Sequence, residues 1–267
     1  MLTDDELKKF LSTYLDITFR FHGELPEEYE DQDPLVIEQS VVSKFGGKPY
    51  SEGEPWPVCG LCTKELFFIF QVNTSELDLA EVPKTIEKNC LYTFFICKNC
   101  FNNTITRYEK LYCLRKYAAP SLAKMKEISS SNINETNPRR ITFTKIKQLK
   151  NIELLDDDAY ENLAELADSS DETEVELFYN ELGQSASLYG CKVGCSLGCP
   201  DGTKYLGMPF GMDLEKFPSC RTCYTTMDLL FQISAAYEQE DKWTSVGHIY
   251  LFYCQEHPEN IVFKREF

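Results

Sequence analysis

Trp56-Pro57-Val58-Cys59-Gly60-Leu61-Cys62, an apolar run, and then Cys97-Lys98-Asn99-Cys100 make up a pattern that the chain states twice. Its second statement is Phe217-Pro218-Ser219-Cys220-Arg221-Thr222-Cys223, another apolar run, and Cys254-Gln255-Glu256-His257. Each is preceded by a glycine- and proline-bearing segment: Lys44-Phe45-Gly46-Gly47-Lys48-Pro49-Tyr50 in one, Lys204-Tyr205-Leu206-Gly207-Met208-Pro209-Phe210 in the other. The offset is nearly constant. Lys44 and Lys204 are 160 apart, Cys59 and Cys220 are 161, Gln71 and Gln232 are 161, and Cys97 and Cys254 are 157. Chance does not keep that order, so the sequence reads as an internal duplication.

The paired cysteines read as metal ligands. A C-x2-C pair puts two sulfurs on one tight knuckle, and two knuckles on neighbouring strands complete a tetrahedron of the kind zinc prefers. Cys59, Cys62, Cys97 and Cys100 form a four-cysteine set, and Cys220, Cys223, Cys254 and His257 a three-cysteine, one-histidine set. Between Cys62 and Cys97 lie 34 residues, and between Cys223 and Cys254 lie 30, so each site is stitched across a sheet and not held in one short hairpin. Both sets fill all four positions with protein donors. Two structural zinc ions are expected, and no catalytic one. Cys191, Cys195 and Cys199 are spaced four apart, but Gly194, Gly198 and Pro200 oppose a helix there. A glycine-rich loop with thiols and a third metal site using Cys113 or Cys90 both stay open.

Charge and cysteine usage bound the rest. With 27 basic and 43 acidic residues among 267, the net charge is −16, which repels phosphate backbones and favours basic partners. Met1 to Glu6 has neither the basic nor the apolar region of a secretory signal, and no apolar run is long enough to span a membrane. A cytoplasmic location, with the nucleus as a further option, is expected. In such a reducing compartment, paired cysteines among the 12 favour metal over disulfides.

Thr3-Asp4-Asp5-Glu6 fits a capping box, and Leu7, Phe10, Leu11, Tyr14 and Leu15 recur at helical spacing. An amphipathic helix is predicted from about Asp4 to Asp16. Residues 65–72, 91–96, 229–233 and 249–253 are short apolar runs rich in aromatic and β-branched residues, and read as strands. Arg139 to Lys147 alternates, is basic, and predicts an exposed strand; Glu153 to Glu176 carries many carboxylates and neither Lys nor Arg, as a solvated linker does. Gln71 and Gln232 sit inside apolar strands. Each is expected to hold a core hydrogen bond, with contact to a bound peptide backbone as the alternative.

The expected fold class is α+β: internally duplicated antiparallel β-sheet halves, each with a structural zinc knuckle site, plus the N-terminal helix. The expected order is helix and acidic loop over 1–42, first repeat with the four-cysteine site over 43–117, acidic insert over 118–189, and second repeat over 190–267.

Ser43 to Tyr50, Cys59 and Cys62, Phe70-Gln71-Val72 and the strand ending in Cys97 resemble the YwqG family, and equally the amino-terminal half of the programmed cell death protein 2 family. Trp243 to Cys254, with His257-Pro258-Glu259, is closer to YwqG. The resemblance covers about 36–117 and 190–267 and implies a duplicated α+β fold of antiparallel sheets. Its eukaryotic branch implies a dedicated chaperone for a small-subunit ribosomal protein.

Nothing resembles a P-loop or a dinucleotide fingerprint, and neither His22 nor His248 has an adjacent nucleophile pattern such as G-x-S-x-G. The expected function is therefore a non-enzymatic, zinc-stapled binding or chaperone module for a basic client. One alternative is RNA binding through the knuckles and the basic patch at 139–150, which the net charge opposes elsewhere on the chain; another is an immunity-type interaction or an enzyme role.

Overall fold

A computed structural model describes residues 15–22, 34–79, 86–101, 108–130, 138–149, 202–210, 212, 216–234 and 247–266. The strands in chain order are β1 (Leu15–His22), β2 (Lys44–Phe45), β3 (Phe67–Asn73), β4 (Cys90–Ile96), β5 (Tyr112–Ala118), β6 (Arg139–Arg140), β7 (Thr142–Leu149), β8 (Lys204–Tyr205), β9 (Asp228–Ser234), β10 (His248–Tyr253) and β11 (Ile261–Glu266). Two short helices, α1 (Pro34–Glu38) and α2 (Lys98–Phe101), accompany them.

The strands build two sheets, ordered β5-β4-β3-β2-β6 and β11-β10-β9-β8-β1-β7. The chain divides into two compact units. One takes its described residues from 21–143; the other takes 15–20, 144–149 and those from 202 onward.

In the unit of residues 21–143, β3 and β4 form the centre. Phe68, Ile69, Phe70 and Val72 are buried, and so is every residue of β4. A strand covered on both faces has no polar side to show, which is why it reads as an unbroken apolar run and not as an alternation. Phe70 stacks on Phe94 at 5.5 Å, and Trp56 meets Phe95 edge-on at 5.5 Å. In the other unit β9 and β10 play this part, with Leu229, Leu230, Phe231 and Ile233 buried against Ile249, Leu251 and Phe252.

Each central pair contains a bulge at the same place. Ile69 is an extra residue on β3 opposite Phe94 and Phe95, and Leu230 an extra one on β9 opposite Leu251 and Phe252. The carbonyl of Ile69 accepts from Gly46 N–H at 3.1 Å, and that of Leu230 from Leu206 N–H at 3.0 Å. Gly46 and Gly47 turn there with φ of 64° and 66°, where Leu206 and Gly207 adopt 63° and 79°. Gly47 has a second constraint, because a Cβ would lie 2.8 Å from Cβ of Pro138.

This architecture corrects the expected α+β class. Among the described residues the protein is predominantly β, with only two short helices. Leu15 and Asp16, which end the predicted N-terminal helix, belong to β1; residues 4–14 lie outside the described residues. Ile17, Thr18, Phe19 and Phe21 are the β-formers that carry this strand, whose start overlaps the helical pattern. The expected duplicated halves are corrected as well. The sheets have five and six strands, and their correspondence is one of local motifs around β2–β4 and β8–β10. The single predicted strand from Arg139 is two strands, one in each sheet. It breaks at buried Ile141, whose N–H donates to Ser43 O at 3.0 Å, and its described side chains are mostly half-buried.

Gln71 and Gln232 are both fully buried and both spent on backbone. Gln71 Oε1 accepts from Tyr50 N–H at 2.8 Å while its Nε2 donates to Val42 O at 2.6 Å. Gln232 Oε1 accepts from Phe210 N–H at 2.7 Å while its Nε2 donates to Gly202 O at 2.8 Å. Each amide pins the segment ahead of the cysteine loop to the sheet. Lys44 is 0 % exposed, and its Nζ donates to Ile37 O at 3.4 Å and Glu38 O at 3.3 Å, the carbonyls that end α1. Burial lowers its pKa from 10.5 to about 8, against the pull of Glu38.

Candidate metal centres

Both cysteine loops fold by the same local rules. Pro57 O accepts from Leu66 N–H at 2.9 Å and Lys64 O from Cys59 N–H at 2.8 Å, closing a turn around Val58 and Glu65. Pro218 O and Thr225 O take the N–H groups of Met227 and Cys220 at 2.9 and 2.8 Å, around Ser219 and Thr226. At each tip the residue after the second cysteine adopts a left-handed conformation, Thr63 at φ 59° and Tyr224 at φ 61°. Their N–H groups return to Cys59 O and Cys220 O at 2.9 Å each. The amides of Leu61 and Thr222 point at Cys59 Sγ and Cys220 Sγ, at 3.4 Å each.

The other two donors of each set come from the end of the neighbouring strand. β4 delivers Cys97, and the first turn of α2 brings Cys100 alongside it. β10 leads into Cys254 and a turn carrying His257.

The structure thus brings together Cys59, Cys62, Cys97 and Cys100, and separately Cys220, Cys223, Cys254 and His257. Within each set the donor atoms all lie within 4.8 Å of one another. Cys62 Sγ is 3.6 Å from Cys97 Sγ, and Cys223 Sγ is 3.5 Å from Cys254 Sγ. His257 Nδ1 lies 3.7 Å from Cys254 Sγ and 3.9 Å from Cys220 Sγ. A disulfide would need about 2.05 Å; these separations suit four donors around one ion. In both sets the first and third ligands are buried and the second and fourth half-buried. Each set can hold one metal ion.

The electrostatics agree with that reading. Cys62 is lowered to about 7, first by the backbone N–H of Lys64, and Cys220 to about 6, first by that of Cys223. Cys97 is pushed up to about 12, first by burial, and burial also raises Cys100 and Cys254. Hydrogen bonding to Cys223 raises His257. Crowded thiolates repel one another, and a divalent cation relieves that repulsion.

Two supporting residues carried no sequence signal. Asn260 Nδ2 donates to Cys220 Sγ at 3.3 Å and to Thr222 Oγ1 at 2.9 Å, bracing the second knuckle. Thr225 Oγ1 lies 2.9 Å from Cys223 Sγ. Such outer contacts orient metal ligands. Neither Cys90 nor Cys113 joins a ligand set among the described residues. Cys90 Sγ donates to Glu87 Oε2 at 3.2 Å and is pushed up to about 11, first by burial. Cys191, Cys195 and Cys199 lie outside the described residues, as does the acidic stretch 153–176. Among the described residues no helix is long and apolar enough to cross a membrane.

A family model described as a domain of unknown function, DUF1963, matches residues 43–266 and so takes in both donor sets. The chain belongs to the DUF1963 family. That match spans 224 of the 267 residues and is consistent with the YwqG-like resemblance. No curated protein matches the chain.

Proposed function

We propose that this DUF1963 protein is a zinc-stapled, non-enzymatic module that binds a basic protein client. The observation that carries this reading is the pair of four-donor sets, each made wholly of protein side chains. A tetrahedral zinc with Zn–S bonds of about 2.3 Å has ligand–ligand edges of about 3.8 Å; the separations of 3.5, 3.6, 3.7 and 3.9 Å fall around that length. Cys59, Cys62, Cys97 and Cys100 would hold one ion, and Cys220, Cys223, Cys254 and His257 the other. Bound zinc supplies a cross-link between each cysteine loop and the end of the next strand. With four protein donors, no ligand position is left for a reacting water.

The net charge of −16 supports a basic client, and the free, paired cysteines suit a reducing cytoplasmic or nuclear setting. Resemblance to the programmed cell death protein 2 family narrows that client to a small-subunit ribosomal protein, which the module would chaperone before assembly. The test is native mass spectrometry of untagged, co-purified protein. Two zinc ions and a basic partner that dissociates as salt rises are expected. Iron in place of zinc would refute the staple; an acidic partner, or tight RNA binding lost with residues 139–150, would refute the client.

A further inference from the structure

The two ligand sets share one local plan but present different faces. Their loop tips correspond residue by residue, so that Gly60 matches Arg221 and Thr63 matches Tyr224. At the first set the chain packs on its own knuckle. Gly60 N–H donates to Lys110 O at 2.9 Å, and a Cβ on residue 60 would lie 3.1 Å from Lys110 Cβ. At the second set the matching residue carries a full arginine side chain, and Arg221, Thr222, Tyr224, Thr225 and Thr226 are all exposed.

The turn after β10 belongs to the same face. Asn260 Nδ2 bonds Thr222 Oγ1 as well as Cys220 Sγ, and the four donors lie within 4.8 Å of one another, so residues 221–226 and 255–259 surround one ion site. Gln255, Glu256, Pro258 and Glu259 are exposed there. Tyr224 directly follows the donor Cys223, and Glu256 directly precedes the donor His257. Tyr224 is 81 % exposed and sits at φ 61°. Both facts count against stability, because the ring buries almost nothing and a left-handed backbone strains a residue with a Cβ. Folding alone does not ask for an aromatic at this tip, where Thr63 serves in the first set. An outlier of this kind points to function.

Charge separates the two faces as well. Around the first set Lys64, Lys98 and Lys110 stand against Glu65 and Glu109, and Glu65 is bound to Ser130 Oγ at 2.7 Å. In the two turns of the second set Glu256 and Glu259 stand against Arg221. Neither carboxylate takes part in either ion pair found among the described residues. An exposed ring accompanied by free carboxylates is complementary to lysine and arginine: the ring face attracts the cation, and the carboxylates pair with it. We propose that this face of the second metal centre takes a basic segment of the partner protein, a placement that rests on the client reading above. Tyr224 is its anchor, as tyrosines often are at protein interfaces, and Glu256 and Glu259 are its charged rim.

The test titrates purified small-subunit ribosomal proteins, one at a time, into the metal-loaded full chain and follows complex formation by calorimetry. For the protein that binds, Tyr224→Gly should raise the dissociation constant about tenfold while melting no lower than wild type, so that the loss is not one of folding. Glu256→Gln combined with Glu259→Gln should raise it about fivefold and make it less sensitive to salt. Native mass spectrometry should count two ions in each variant. Thr63→Gly and Glu109→Gln, the matching changes at the first centre, should leave the constant within about twofold. Unchanged affinity in either second-centre variant, or an equal loss from the first-centre changes, would overturn the proposal and leave the client reading standing. Binding by none of these proteins would refute the ribosomal client as well as this face. Single-stranded RNA held by wild type and released by Tyr224→Gly would also overturn the proposal, because the tip would then be a stacking platform for bases.

Discussion

Replacing Gln71 with leucine isolates what the buried amide does. Leucine is close in volume and stays apolar, so packing between β3 and β4 is little changed. What is lost is the acceptor for Tyr50 N–H, at 2.8 Å, and the donor to Val42 O, at 2.6 Å. Tyr50 is 1 % exposed, so its amide has no water to turn to, and orphaning it costs about 2 kcal/mol. Val42 is half-buried, and its carbonyl recovers some hydration, which leaves about 1 kcal/mol. The sum is about 3 kcal/mol. Urea unfolding of the metal-loaded protein, followed by Trp56 fluorescence in a Trp243→Phe background, measures it. Trp56 is buried and donates to Leu66 O at 2.7 Å, so its emission reports on the unit around β3. If instead Gln71 were held in reserve for a bound peptide, stability would fall by less than about 0.5 kcal/mol, and the reasoning here would be refuted.

Cys97→Ser or His257→Ala should each reduce bound metal from two ions to one by native mass spectrometry; retention of two ions by either variant would break the assignment of that set. Because structural zinc contributes on the order of 10 kcal/mol in small domains, chelation should cost far more stability than either substitution alone. Tyr224→Gly should raise stability by about 1 kcal/mol, since an 81 % exposed tyrosine at φ 61° pays for a left-handed backbone with little burial in return; a lower melting temperature would contradict this. Lys44 gives a pH dependence. Between about 8 and 10.5 the unfolded chain holds a proton that the folded chain has released, so stability rises with pH across that window by about 3 kcal/mol. Lys44→Met should flatten this rise in denaturation midpoints measured from pH 7 to 10.5, and a slope equal to wild type would count against the buried amine.

The central strands were legible because burial on both faces leaves long apolar runs; the runs at 91–96 and 249–253 fall within β4 and β10. Metal ligands were legible because C-x2-C is a local signal. The missing strands lacked either cue. β2 and β8 are two residues long, and β5 is an outer strand whose Arg115, Lys116 and half-buried positions dilute its pattern. β1 was hidden because Leu15 also completes a helical stripe with Leu7 and Leu11. Asn260 and Thr225 could not be found by spacing, since their roles arise only when turns bring them against sulfur.

Each donor set joins a loop to residues more than thirty positions downstream, beyond the whole length of a central strand. The ion therefore has nowhere to sit until that hairpin has paired. A newly made chain must travel part of its folding route with seven thiols and one imidazole uncovered, and oxidants or a wrong metal would intercept it there and not in the finished protein. Overproduction in metal-poor medium should accordingly yield disulfide-scrambled material that added zinc cannot repair without a reductant.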